Sequence, residues 1–143
     1  MAIRSAQVEW QGDLPTGKGT FAGASGEIEG SYSAASRFGE SGGTNPEELI
    51  AAAHASCFSM AFSLVLSEGG HVPDSIRTEA KVQILKEGDG FTIKKIDLDT
   101  VGRVPGADDA TFQQAAQVAK ENCPVSKALA AVPEINLQAR LES

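Results

Sequence analysis

Strand-like and helix-like patterns follow one another irregularly along this chain, and together they predict an α+β fold. The 143 residues are 41% apolar, which is enough for one substantial core and too little for two. Short strand patterns separated by turns come first, and two long helical patterns and a hairpin follow. We therefore expect one domain over residues 1–143, with antiparallel sheets wrapped around two long helices, the first of them central.

The charge of the chain argues against nucleic acid as a partner. The net charge is −7 and the pI is about 4.8, and the twelve Lys and Arg residues are scattered rather than gathered in one basic patch. The N-terminal residues show no secretory signal. We therefore expect a cytoplasmic protein in a reducing compartment, where two cysteines do not suit a permanent structural disulfide.

Three short strands are predicted in the first part of the chain. They cover residues 5–10, 17–23 and 27–33, and glycines and small polar residues mark the turns between them. A loop of small residues over 36–43 follows and carries Arg37. Because binding and catalytic groups are often carried by loops, Arg37 is the first candidate for a site residue.

A long helix is predicted from Pro46 to about residue 67. Asn45 can cap its N-terminus, Pro46 suits the first helical position because that position needs no N–H donor, and Glu48 completes a capping box. Apolar residues cover every face of this helix, which indicates burial on all sides. In so small a protein, complete cover calls for a second subunit.

The apolar run over 49–66 within this helix is not expected to cross a membrane. Crossing takes about 20 strongly apolar residues. Serines and alanines dilute this run, and the residues that flank it are acidic rather than basic. We therefore expect a buried central helix and no membrane partner.

A hairpin and a final strand are predicted in the second half of the chain. Apolar and polar residues alternate over 76–84, a glycine-rich turn follows at 88–90, and a partner strand is expected over 91–101. Alternation over 135–141 predicts the last strand.

Two further helices are predicted between the hairpin and the last strand. Asp108 and Asp109 begin an amphipathic helix that ends near residue 122. Pro124 suits the first position of a shorter helix, which places Cys123 at or beside its N-cap.

Cys57 and Cys123 are the two cysteines of the chain, and their settings differ. A reactive thiol needs a helix N-terminus or a neighbouring cation. Cys123 meets the first condition, because the free N–H groups of the helix that follows would point toward its sulfur. Cys57 lies in the middle of a helix and needs a cation, for which His54, one turn earlier, and Arg37 are candidates. Either cysteine alone could equally be an inert core residue.

Metal and nucleotide sites find no support in the sequence. Two Cys and two His residues could supply four ligands, but they lack the close paired spacing that metal sites use. Glycine-rich phosphate loops and the serine-nucleophile motif are missing as well. We therefore expect no metal and no nucleotide cofactor.

Two remote motifs resemble those of the OsmC/Ohr peroxidases. The first runs from Gly43 through Thr44-Asn45-Pro46-Glu47-Glu48 and on to Ala55-Ser56-Cys57-Phe58, and the second is Cys123-Pro124-Val125-Ser126. The likeness extends over essentially the whole chain and is stronger to the osmotically inducible OsmC branch than to the Ohr branch. It implies an OsmC-like fold and an intertwined homodimer.

The resemblance also implies an activity, that of an oxidoreductase with an antioxidant role in osmotic and oxidative stress. Such a thiol peroxidase reduces organic hydroperoxides, and hydrogen peroxide less well, without metal, haem or flavin. By position, Cys57 matches the cysteine that attacks the peroxide and Cys123 the cysteine that then forms a disulfide with it. Arg37 and Glu47 match the residues that activate the thiolate, whereas His54 is typical of OsmC-like sequences but matches no essential catalyst. A dithiol, in Ohr proteins a lipoyl group, regenerates the enzyme.

Helix geometry adds an expectation about the site. Glu47 and Cys57 lie about 15 Å apart along one helix, at ~1.5 Å per residue, so they cannot share Arg37 within one straight helix. They could share it across an antiparallel pair of copies, which predicts a site between two subunits. A substrate pocket is expected from apolar residues of this region, namely Phe38, Leu49, Phe58 and Met60.

Two other functions stay open from the residues. In a thiol redox sensor, the same disulfide would change the affinity for a partner without turnover. In a carrier of a small hydrophobic ligand, the cysteines would be inert. Turnover of a hydroperoxide with a dithiol separates a peroxidase from both alternatives.

Overall fold

The computed structural model of the chain describes residues 1–39 and 42–142. It has two compact units, Met1–Leu49 and Ile50–Ser143. The first unit holds a three-stranded sheet and a short helix, and the second holds another three-stranded sheet with helices. This is the predicted α+β class.

The sheet of the first unit is an antiparallel meander. Its strands are β1 (Ala6–Gln11), β2 (Lys18–Gly23) and β3 (Glu29–Tyr32), in that spatial order. The three predicted strands are confirmed to within two residues at each end. On one face, the ring of Tyr32 lies 5.6 Å from that of Trp10 and 6.4 Å from that of Phe21, so aromatic contacts join all three strands.

A short helix, α1 (Ala34–Phe38), stands where the sequence predicted the beginning of a loop. Ser33 caps it, since its hydroxyl accepts the N–H of Ser36 while the Ser36 hydroxyl accepts the N–H of Ser33. This capping box uses serine where a Glu or Gln is usual, and for that reason the sequence pattern did not reveal it. Residues 40 and 41 of the predicted loop lie outside the described residues.

The long helix, α2 (Pro46–Glu68), begins and ends as predicted. Asn45 Oδ1 accepts the N–H of Glu48 at 2.8 Å, which is the expected cap. The carboxylate of Glu48 accepts a hydrogen bond from the Thr44 hydroxyl. At the C-terminus, Gly70 adopts a φ of 89°, and the N–H of His71 reaches the carbonyl of Leu66 at 2.9 Å. A left-handed glycine closes the helix in this way.

The expectation that α2 is buried on all sides is wrong for the single chain. A buried stripe at four-residue spacing comprises His54, Phe58, Phe62 and Leu66. On the opposite face, Met60 is 75% exposed and Leu64 is 59% exposed. Apolar residues all round a helix indicate that it avoids water, but they do not say whether the same chain covers every face.

The helix α2 is long and apolar enough to cross a membrane by length and composition, with a mean hydropathy of 1.9. A core helix passes the same test. In the second unit, its buried stripe contributes Phe58, Phe62 and Leu66 to the hydrophobic core, although only 22% of the apolar window is buried in the single chain.

The sheet of the second unit has the order β4 (Ser75–Glu87), β5 (Gly90–Arg103), β6 (Glu134–Glu142). The predicted hairpin joins β4 and β5 through Gly88, whose φ is 60°. The expectation of purely antiparallel sheets is wrong here, because β6 runs parallel to β5. The chain between these strands makes a crossover through two helices, which parallel pairing requires, and alternation carries no signal of strand direction.

The two helices of this crossover are α3 (Asp109–Asn122) and α4 (Pro124–Ala128). Both agree with the prediction, including the Asp108 cap on α3. The ring of Phe112 lies 4.9 Å from that of Phe62 and covers Gly102, where an added Cβ would fall 2.5 Å from the ring. This close packing holds α3 and α4 over the sheet and places the α3–α4 junction, at Cys123, in the core.

Candidate thiol site

The two cysteines, remote in sequence, meet in the second unit. Both are reduced, Cys57 packs against the core cluster that contains Cys123, and each thiol shifts the pKa of the other. Cys57 comes from the middle of α2 and is partly exposed, whereas Cys123, between α3 and α4, is fully buried. The sequence left open whether the fold would bring them together, and the structure does so.

The surroundings of Cys123 favour its thiolate. Burial raises the pKa of this thiol, but four groups outweigh burial and leave the pKa below its ordinary value. They are the S–H of Cys57, the backbone N–H and the hydroxyl of Ser126, and the N–H of Val125. As predicted, the N–H groups that begin α4 face the sulfur. The Cys123 side chain makes no cap hydrogen bond of its own at the start of α4, which agrees with sulfur being a weak acceptor.

The pKa of Cys57 is shifted in the opposite direction, above its ordinary value. Burial raises the pKa of its thiol, the hydrogen bond to Cys123 raises it further, and only the N–H of Val125 opposes them. In the reduced pair, the surroundings therefore favour ionisation of Cys123 over ionisation of Cys57. To become the attacking thiolate, Cys57 needs a cation that the groups acting on its pKa in this chain do not supply.

The buried His54 lies beside this pair, at the N-terminal end of the buried stripe of α2. Its Nε2 is 2.7 Å from the Ser126 hydroxyl, and burial lowers its pKa. Its Nδ1 has no hydrogen-bond partner among the described residues. The sequence suggested His54 as a base for Cys57, whereas the structure connects it to Ser126. The role of the Ser126 hydroxyl was missed, although Ser126 belongs to the second cysteine motif.

A second group of predicted site residues lies in the first unit. Arg37, in the last turn of α1, forms a two-pronged ion pair with Glu47, in the first turn of α2. Nη2 lies 2.7 Å from Oε1, and Nε lies 3.1 and 3.2 Å from the two carboxylate oxygens. The Glu47 side chain is 7% exposed and that of Arg37 is 36% exposed.

Local hydrogen bonds hold the two ends of this ion pair in place. The side-chain amide of Asn45 donates to the carbonyl of Ser36 at 3.1 Å, and the Ser36 hydroxyl donates to the carbonyl of Thr44 at 2.8 Å. The guanidinium also stacks over the Phe38 ring, with its carbon 5.2 Å from the centroid. The cap of α2 and the carboxylate that holds Arg37 therefore come from one short stretch of sequence.

The four residues predicted for a substrate pocket lie in different settings. Leu49 borders an apolar cavity of about 200 Å³ in the first unit, with Val8, Phe21, Tyr32, Asn45 and Pro46. Phe38 is 43% exposed and Met60 is 75% exposed. Phe58 is fully buried and packs against Phe62 with ring centroids 5.5 Å apart, so it is a core residue in this chain.

Across residues 1–39 and 42–142, no group of three or more His, Cys, Asp and Glu side chains is placed to hold a metal ion.

The family model of the OsmC-like proteins matches residues 39–138, a stretch that contains Glu47 and both cysteines. This chain belongs to the OsmC family. Peroxiredoxin OsmC of Escherichia coli K12 is 48% identical over 141 residues, which cover 98% of this chain and 97% of the relative. The organic hydroperoxide resistance protein OhrB of Bacillus subtilis is 36% identical over 97 residues, 67% of this chain and 69% of OhrB.

Solved structures of the OsmC family share the fold. The crystal structure of Bacillus subtilis OhrB has a TM-score of 0.68 at 27% identity and covers 96% of this chain and 98% of its own. An OsmC-like protein of Mycoplasma pneumoniae has a TM-score of 0.77 at 14% identity, with 99% of each chain covered. The predicted family and the predicted OsmC-like fold are confirmed.

Proposed function

We propose that this OsmC-family protein reduces organic hydroperoxides to alcohols, with Cys57 as the attacking cysteine and Cys123 as the resolving one. Its relatives are a peroxiredoxin and organic hydroperoxide resistance proteins, and on this kinship the chain is a peroxidase, an oxidoreductase with an antioxidant role under stress. The observation that carries the residue assignment is the contact between the two reduced cysteines, one partly exposed and one buried.

The first step oxidises Cys57. Its thiolate attacks the terminal oxygen of the hydroperoxide, an S–O bond forms and the O–O bond breaks. The alkoxide that leaves takes up a proton and departs as the alcohol, while the sulfur loses two electrons and becomes a sulfenic acid. The partial exposure of Cys57 suits it to this step, since a substrate can reach it.

The second step joins the cysteines. The Cys123 thiolate attacks the Cys57 sulfur, an S–S bond forms, and hydroxide leaves and takes up a proton to become water. The low pKa of Cys123 suits it to this step. A dithiol then reduces the disulfide in two thiol exchanges and is itself oxidised to a disulfide. A lipoyl-type dithiol is the donor we propose.

Activation of Cys57 requires a cation, and Arg37 is our candidate. Glu47 binds the edge of the guanidinium formed by Nε and Nη2, which leaves the edge at Nη1 for a thiolate or a peroxide oxygen. Because Glu47 and Cys57 lie about 15 Å apart along α2, we propose that Arg37 and Glu47 act on the cysteines of a partner subunit. The exposed apolar face of α2, with Met60 and Leu64, supports a homodimer.

The apolar part of the substrate would bind beside the Arg37–Glu47 pair. The cavity bordered by Leu49 belongs to the same turn of α2 as Glu47 and is almost entirely apolar. We place Phe38 and Met60 at its rim in the dimer. An apolar pocket favours a bulky organic hydroperoxide over hydrogen peroxide, because the organic group gains free energy on leaving water.

The remaining expectations stay part of this proposal. We propose one OsmC-like domain over residues 1–143 that works in the cytoplasm, with no membrane and no nucleic acid as partners and no cofactor. The net charge of −7 supports the exclusion of nucleic acid.

The decisive experiment measures the reduction of cumene hydroperoxide by the purified protein with dihydrolipoamide as the electron donor. Hydrogen peroxide serves as a second substrate, and C57S serves as the control variant. We expect turnover of the organic substrate that exceeds turnover of hydrogen peroxide and vanishes in the variant.

Two other results would overturn the proposal in different ways. A Cys57–Cys123 disulfide that forms on addition of peroxide but never turns over with any dithiol would indicate a redox sensor. Failure to form the disulfide at all would indicate inert cysteines and a binding protein. Equal turnover in C57S would remove Cys57 from the chemistry.

A further inference from the structure

The buried His54 is polar at a position where the fold favours an apolar side chain. It shares the buried stripe of α2 with Phe58, Phe62 and Leu66, all of which pack into the core. Its Nδ1 is buried without a partner among the described residues. A buried polar atom without a partner destabilises a fold, so a side chain retained there in spite of that cost points to a role other than packing.

Within the described part of the chain, the side-chain hydrogen bond of His54 leads toward the cysteine pair. Nε2 lies 2.7 Å from the Ser126 hydroxyl, and that hydroxyl in turn lowers the pKa of the thiol of Cys123, which begins the same short helix. Ser126 is itself buried. The three side chains therefore form a continuous path inside the second unit, from the middle of α2 through α4 to the α3–α4 junction.

The number of available donors determines where the Ser126 hydroxyl hydrogen and the His54 imidazole hydrogen lie. A serine hydroxyl has one hydrogen, and a thiolate can only accept it. If Ser126 donates to Cys123, then its oxygen must accept from His54, which places the imidazole hydrogen on Nε2. The other tautomer would bury an N–H on Nδ1 without an acceptor and would draw the serine hydrogen away from the sulfur. Burial also keeps His54 neutral, so it acts as a donor and not as a cation.

We propose that His54 is a positioning residue for Cys123, which it serves through the Ser126 hydroxyl by orienting that hydroxyl as a donor to the Cys123 thiolate. This inference rests on the proposed function. In that cycle Cys123 is a thiolate twice, first when it attacks oxidised Cys57 and again when the dithiol opens the disulfide and Cys123 leaves. In a chain of hydrogen-bond donors, each bond strengthens the next. Such a chain stabilises the thiolate charge of Cys123 both when it attacks and when it leaves.

Side chains from two helices, α2 and α4, affect the Cys123 thiol. Cys57 faces it from α2 and Ser126 from α4, while His54 faces Ser126 and not the sulfur. Removal of the serine hydroxyl should therefore raise the Cys123 pKa directly. Removal of the histidine should raise it only as long as the serine is present.

The test measures the Cys123 pKa from thiolate absorbance as a function of pH, in a C57S background so that one thiol is observed. We expect S126A and H54F each to raise this pKa, with the larger rise in S126A. S126T keeps a hydroxyl and should therefore raise the pKa less than S126A does. In protein that already carries S126A, adding H54F should leave the pKa unchanged. S59A is the matched control, because the Ser59 hydroxyl bonds Thr78 at 2.8 Å instead, and it should have no effect.

A kinetic measurement tests the same chain in protein with both cysteines. Single-turnover oxidation followed to the disulfide should show conversion of the Cys57 sulfenic acid to the disulfide at neutral pH slower by about tenfold in S126A. H54Q, which keeps an N–H donor, should fall between wild type and H54F.

The pKa measurement needs no turnover, so it separates this inference from the proposed function. A Cys123 pKa that stays at the wild-type value in S126A and H54F would overturn the role of His54 even in an active peroxidase. An additive effect of H54F on S126A would also overturn it, because His54 would then act on Cys123 by another route. Failure of peroxide reduction with the expected pKa changes would overturn the proposed function alone.

Discussion

The Arg37–Glu47 pair and the Cys57–Cys123 pair differ in how the chain brings their members together. Arg37 and Glu47 come from consecutive helices of the first unit, and caps around Ser36 and Asn45 hold them. The cysteines come from α2 and from the α3–α4 junction, and only the packed core of the second unit unites them. The first pair is a product of local hydrogen bonding and the second of tertiary packing.

Each pair also lacks what the other supplies. The ion pair presents a cation whose Nη1 edge has no hydrogen-bond partner among the described residues, and the cysteine pair holds two thiols whose surroundings favour ionisation of Cys123 over Cys57. A cation beside Cys57 would reverse that preference. The comparison therefore predicts that the two pairs work as one site and that each can be disabled independently.

The largest expected effect is the loss of the attacking thiol. C57S should abolish peroxide reduction, because an alcohol at that position is not a nucleophile for peroxide. C123S should permit one round that stops at the sulfenic acid or proceeds to overoxidation. Mass spectrometry of each variant after one equivalent of cumene hydroperoxide distinguishes these products. Equal residual turnover in the two variants would contradict the division of roles.

The next largest effect concerns the cation. R37A should lower kcat/KM for the hydroperoxide by about 10²-fold, because both the Cys57 thiolate and the charge developing on the peroxide lose a partner. Loss of a cation raises the pKa of Cys57. The midpoint of the pH profile of the remaining activity should therefore lie at a higher pH than in wild type. The measurement is kcat/KM against pH. A profile that keeps its wild-type midpoint would place Arg37 outside the site.

Mixed dimers test whether the two pairs meet between subunits. As homodimers, C57S is expected to be inactive and R37A to keep only about a hundredth of the wild-type activity. In a mixed dimer, one site combines Cys57 and Cys123 of the R37A chain with Arg37 and Glu47 of the C57S chain. Random mixing should then recover about a quarter of the wild-type activity per chain, since half of the dimers are mixed and each has one intact site. If the pairs met within one chain, mixing would recover nothing.

The smallest effect tests the local origin of the ion pair. N45A removes the cap of α2 and the bond to the Ser36 carbonyl, and should cost about 1 kcal/mol in the free energy of unfolding. It should also lower peroxidase activity, while the Cys123 pKa stays unchanged. The matched control is D108A, which removes the cap of α3 at similar cost. Urea denaturation gives the stability of both variants, and a loss of activity in D108A as large as in N45A would show that instability alone explains it.

Much of the fold followed from short-range patterns. Asn45, Pro46 and Gly70 define the ends of α2, Asp108 begins α3, and Gly88 makes the turn between β4 and β5. Each of these signals depends on hydrogen bonds within a few residues. The helix α1 escaped prediction because its capping box uses two serines, a weaker pattern than the usual one.

By itself, the sequence determined the order of the elements other than α1, the ends of the main helices and strands, the family motifs and the two thiols with their candidate partners. Tertiary structure alone decided that β6 runs parallel to β5, that one face of α2 stays exposed, and that His54 bonds Ser126. It also decided that the pKa of Cys57 is raised and that of Cys123 is lowered. The physical reason is one of range: caps and turns are closed by near neighbours, whereas strand direction, burial and thiol pKa depend on groups that only packing brings together.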